Sequence, residues 1–149
     1  MNRLLAILAG STLLTVAGAA QATAQASVRA SDEAASAVVT RTCVSSYRGV
    51  VVNELCAVVY GDQVTFTGTA TPSSVAWTPR AVPFRFSASV VGGPQLGALK
   101  PAPVVRRSAT EVGTISGVVP CGSTAEATIE ATEWGWPPSI ATLAVPANC

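Results

Sequence analysis

Period-two alternation constrains this chain more than any other feature. In "DQVTFTGTA", Val64, Phe66, Gly68 and Ala70 fall on one side, and Thr65, Thr67 and Thr69 on the other. "PFRFSASV" sets Phe84, Phe86, Ala88 and Val90 against Arg85, Ser87 and Ser89. "AEATIEAT" sets Ala125, Ala127, Ile129 and Ala131 against Glu126, Thr128, Glu130 and Thr132. Successive strand side chains point to opposite faces, so this pattern describes strands with one face in a core and one in water. No stretch shows the three-and-four spacing of an amphipathic helix.

Less regular runs predict further strands over 37–44, 50–60, 110–119 and 139–145, with 104–106 as a short edge strand. "YGDQ" places Gly61-Asp62 between two runs as a two-residue hairpin turn. "TPSSVAWTPRAVP" and "GGPQLGALKPAP" read as Pro- and Gly-rich loops. The predicted fold is all-β: an antiparallel β-sandwich of about seven strands, immunoglobulin-like in the broad sense and stapled by disulfides.

Four cysteines, Cys43, Cys56, Cys121 and Cys149, carry the staples. Their spacing lacks the close pairs of a structural zinc site, and an even count in a small exported domain reads as disulfides. Four cysteines allow three connectivities, and hairpin symmetry favours one. Opposed positions in an antiparallel hairpin sum to a constant. Cys121 and Cys149 centre on Gly135, and Cys43 and Cys56 centre beside Gly49. Each glycine lies between two predicted strands, so 43–56 and 121–149 are the favoured bridges. Closing these loops is worth roughly 3 and 3.5 kcal/mol in a chain-entropy treatment. The alternative, 56–121 with 43–149, would imitate an immunoglobulin inter-sheet bridge with Trp77 as the core tryptophan. Against it, Trp77 lies far beyond Cys56, and Val119 stands where the corner tyrosine of that pattern would be.

The amino terminus reads as an export signal over residues 1–26. Arg3 precedes the apolar run "LLAILAGSTLLTVAGAA", and "QATAQA" supplies small residues at Ala24 and Ala26. Gly10, Ser11 and Thr15 interrupt the run, and no other stretch approaches the about 20 apolar residues of a membrane helix. Residues 27–36 read as a polar tail, and 37–149 as one domain. The expected product is secreted, extracellular or in the cell envelope. The chain has nine basic and eight acidic residues, and removing Arg3 balances them. Such a surface exerts no long-range pull on nucleic acid or anionic membrane. Arg106-Arg107 is the only basic pair.

Several chemistries are closed to this composition. There is no histidine, so histidine-dependent triads and zinc sites drop out. Lys100, the only lysine, lies in a proline-rich loop. Cysteines held in bridges are not nucleophiles. Glu126 and Glu130 share a strand face but stand ~13 Å apart along it, beyond the ~5–9.5 Å of paired glycosidase carboxylates. Glu133 approaches Glu130 only if the strand bends. Asp62 alone in a turn and Asp32-Glu33 in the tail make no calcium loop. The expectation is a protein that is not an enzyme, with no catalytic residue, no metal site and no cofactor.

"ATEWGWPPSI" supplies the one feature that points outward. Trp134 and Trp136 flank Gly135, and Pro137 and Pro138 follow. Gly135 is expected at a hairpin tip, with the two rings inequivalent because Pro137 holds Trp136 extended. Trp134 and Trp136 are candidate binding residues for an extracellular protein or glycan; the competing reading folds the rings back over the domain's own core. A second function, inhibition of extracellular proteases, would use one of the proline-rich loops. A carboxylate-only hydrolase ranks third.

Overall fold

The computed structural model describes residues 39–133 and 138–149. The signal segment, the tail and the first two residues of the strand predicted from 37 lie outside the described residues, as do Trp134, Gly135, Trp136 and Pro137.

Among the described residues the protein is all-β, with every strand pair antiparallel. One four-stranded sheet runs in the order β1 (Thr40–Ser46), β2 (Val51–Tyr60), β3 (Gln63–Pro72), β8 (Thr110–Val118). A second runs β10 (Ile140–Pro146), β9 (Thr124–Ala131), β5 (Phe84–Val90), β6 (Gln95–Leu99). The short strands β4 (Arg80–Ala81) and β7 (Val104–Val105) pair with each other.

The alternating runs become strands for the expected reason. On β2, Val51, Asn53, Leu55, Ala57 and Val59 are buried, while Glu54, Val58 and Tyr60 face out. On β3 the threonines face out and Val64, Phe66 and Ala70 face in. Tyr60 pairs with Gln63 across the predicted Gly61-Asp62 turn. Gly61 has φ +60°, a left-handed conformation that glycine adopts without steric cost.

Buried side chains from both four-stranded sheets form one cluster, with Phe66, Phe84 and Phe86 its largest members. Gly68 marks a close approach between the sheets. A Cβ there would sit 2.6 Å from Ile129 Cδ1 of β9. Trp77 is also buried, its Nε1 donating to Val105 O at 3.0 Å, with the Arg80 guanidinium 4.0 Å above its ring.

Two expectations about strands need correction. The described residues hold ten strands: the seven expected, the predicted edge strand as β7, and two that were not expected, β4 and β6. "GGPQLGALKPAP" is not all loop, because Gln95–Leu99 forms β6 and pairs with β5. A register shift between Ala88 and Ser89 places a bulge there, which breaks the period-two pattern that would have revealed the strand. A similar shift between Gly68 and Thr69 explains the irregular pattern of β8. The other supposed loop, "TPSSVAWTPRAVP", contains β4, which pairs with β7, within the edge strand predicted over 104–106.

The cysteines pair 43–56 and 121–149, as hairpin symmetry favours. Cys43 lies opposite Cys56 in the β1–β2 ladder, with Cα atoms 4.0 Å apart. Cys121 and Cys149 lie beyond the last β9–β10 pair, Thr124 with Pro146. The ladder continues towards them through Gly122 N to Ala147 O at 2.8 Å and Ala147 N to Ser123 O at 2.9 Å.

Candidate functional site

The β9–β10 connection is the site singled out by the sequence, and its roots are described. Ile140 pairs with Glu130, and every pair of the ladder is symmetric about position 135, while the expected turn at Gly135 lies outside the described residues. Trp134 and Trp136 themselves lie outside the described residues. At the leading root, Thr132 N donates to Pro83 O at 3.0 Å, and its hydroxyl donates to the same oxygen at 3.3 Å. Ala131 N donates to Ser139 O across the hairpin at 3.1 Å.

The trailing root is held by a residue that sequence reasoning passed over. Asn53 occupies an inward position of β2 and is fully buried. Its Nδ2 donates to Ser139 O at 2.7 Å, tying the first sheet to the start of β10. Ser139 is itself 2% exposed. Asn53 Oδ1 and Ser139 Oγ are buried without a hydrogen-bond partner. The available signal was an asparagine on the apolar face of "VVNELCAVV", a position where a polar group costs free energy unless it is bonded.

The carboxylates are dispersed on exposed sheet faces. Glu130 meets Arg85 of β5 at 3.4 Å, with side chains 27% and 63% exposed. Such an exposed pair contributes about 0–1 kcal/mol. Glu54 accepts from Thr69 at 3.5 Å and Glu111 from Thr114 at 3.2 Å. Glu126 lines a shallow polar hollow of about 230 Å³ with Ser87, Ser89, Gln95 and Thr128. A second hollow, of about 260 Å³, lies between residues 72–75 and Arg107. Lys100 is exposed.

Cys43, Glu54 and Cys56 form the one group of three metal-type donors among the described residues, with ligand atoms within 4.8 Å of one another. The two sulfurs are bonded to each other, so neither supplies a thiolate. Arg41 Nη2 lies 3.8 Å from Cys56 Sγ on the same face. The Cys43–Cys56 bridge thus comes with charged neighbours that spacing alone did not reveal.

Compared with known proteins, the chain matches no family, no curated protein and no solved structure at a significant level.

Proposed function

We propose that this protein is a secreted, non-enzymatic binding module whose contact element is the β9–β10 connection carrying Trp134 and Trp136. The supporting observation is the anchoring of both roots of that connection. Thr132 is tied to Pro83, and Ser139 is tied to buried Asn53, so the segment between starts and ends at fixed points. A contact segment held at its ends loses less conformational entropy on binding. Two indoles on such a segment suit stacking on a sugar ring or insertion into an apolar pocket.

The same reading takes the domain as a β-sandwich, with the two four-stranded sheets facing each other across the shared cluster. The approach of Gly68 to Ile129 supports it. Export through removal of residues 1–26 accords with two disulfides, since such bridges persist in oxidising compartments. The inhibitor reading draws less support. Phe84 N and Val82 N bond to Pro101 O and Pro103 O, so one proline-rich segment is laid against the other rather than extended from the domain. Burial of Trp77 holds the middle of "TPSSVAWTPRAVP".

The test is retention of binding partners from envelope and culture-medium fractions on the immobilised domain, spanning 27–149. A ligand retained by the parent and lost by Trp134→Ala or Trp136→Ala, with melting temperatures preserved, supports the reading. Unaltered retention in both variants moves the contact elsewhere, and stoichiometric inhibition of an extracellular protease replaces the reading with the inhibitor one.

A further inference from the structure

The two bridges differ in what surrounds their sulfurs. Cys43–Cys56 sits on the outward face of the first sheet, in the middle of the β1–β2 ladder. Cys43 is exposed, while Cys56 is only 9% exposed. Arg41 reaches Cys56 Sγ, and the Glu54 carboxylate lies within 4.8 Å of both sulfurs. Cys121 and Cys149 are both exposed, and among the described residues no charged side chain hydrogen-bonds to either, so the bridges differ in the charge beside the sulfurs rather than in access.

We propose that Cys43–Cys56 is a site of reversible thiol–disulfide exchange with a dithiol, in which Cys43 Sγ is attacked and Cys56 departs as the thiolate. Exchange requires an incoming thiolate to reach one sulfur while the other leaves, so access and stabilisation of the leaving sulfur set the rate. Exposure selects Cys43 as the atom attacked. The Arg41 guanidinium is placed to stabilise the negative charge that develops on Cys56. Glu54 acts in the opposite sense, repelling both the approaching and the departing anion.

The reaction balances as a two-electron transfer. The first dithiol sulfur bonds to Cys43 as the Cys43–Cys56 bond breaks, leaving a mixed disulfide and a Cys56 thiolate. The second dithiol sulfur then displaces Cys43, and the dithiol leaves as its own disulfide. The dithiol is oxidised, the bridge is reduced, and the two protons lost by the dithiol are taken up by Cys43 and Cys56. Reversal is built into the fold. Seven register pairs, from Thr40 with Val59 to Ser46 with Asn53, keep the two cysteines opposed whether or not they are bonded.

Limited dithiothreitol added to the oxidised domain tests this, with timed alkylation and peptide mapping, and with circular dichroism following the fold. Alkylation is expected at Cys43 and Cys56 before any loss of strand signal. Arg41→Gln should slow the reduction about threefold, and Glu54→Gln should speed it by a similar factor. Removing the reductant and adding oxidised glutathione should restore the bridge. The proposal is overturned if reduction of Cys43–Cys56 follows unfolding rather than preceding it. Rates unchanged by both charge substitutions also overturn it.

Discussion

The hairpins β1–β2 and β9–β10 each carry one disulfide, yet they use it differently. In β1–β2 the bridge lies within the ladder, between residues already opposed by backbone pairing. In β9–β10 it lies past the ladder's end and ties down the last residue of the chain. A bond inside a ladder duplicates a constraint that the strands supply, whereas the bond beyond it carries the constraint past the last backbone hydrogen bonds, between Gly122 and Ala147 and between Ala147 and Ser123, to Cys149. The comparison predicts that the two bridges differ in how much stability each adds.

Removing each bridge breaks the comparison most directly. The double substitution Cys121→Ala/Cys149→Ala opens a loop with a sequence separation of 28 residues. It should cost ~3.5 kcal/mol in the chain-entropy treatment. Cys43→Ala/Cys56→Ala opens a separation of 13 residues, for which the same treatment gives a ceiling of ~3 kcal/mol. The measured loss should fall below that ceiling because the ladder persists. Thermal and denaturant melts of the two variants check the order, and a larger loss for the 43–56 variant would invert it.

The second-largest effect concerns whether the hairpins are independent. Asn53 belongs to the first hairpin, but its amide holds Ser139 at the root of the second. Asn53→Ala removes that bond and leaves the buried Ser139 carbonyl with one partner fewer, so it should cost about 1–3 kcal/mol. Amide exchange in β9 and β10 should quicken in this variant. If exchange quickens only in β1 and β2, the second hairpin does not depend on the first.

The contrast between hairpins also bears on what the sequence could reveal. Both bridges were legible, because residue numbers in a hairpin sum to a constant and the cysteine pairs centre on Gly135 and beside Gly49, between predicted strands. β3, β5 and β9 were legible because their side chains alternate without interruption. β6 was not, because the bulge opposite Ala88 and Ser89 shifts its register and leaves Leu96 and Leu99 out of phase. β4 and β7 are two residues each, too short to display any period. Of the candidate site, the tryptophans were legible as residue types, while the anchoring by Asn53 depends on a contact across 86 positions that no local pattern encodes. Nothing in the sequence pattern singles out Arg41 or Glu54, and only the strand register brings them to the sulfurs.

The smallest effect sharpens the comparison at the contact between sheets. β3, which pairs with the first hairpin, carries Gly68, and β9 of the second carries Ile129. A methyl group added at Gly68 would meet Ile129 Cδ1 at 2.6 Å, closer than carbon atoms pack, with Phe86 Cε1 next at 3.6 Å. Ile129 is fully buried, so its side chain has little room to turn away. Gly68→Ala should therefore cost about 1–3 kcal/mol through overpacking. Ile129→Val deletes the clashing methyl and alone should cost about 0.5–1.5 kcal/mol. Together the two changes exchange one methyl for another at nearly the same place, so the double variant should be more stable than the sum of the single costs predicts, by about 1 kcal/mol of coupling. A double-mutant cycle from denaturant melts measures that coupling. A coupling near zero would mean that residues 68 and 129 do not touch, and the facing of the two sheets would lose its most specific support.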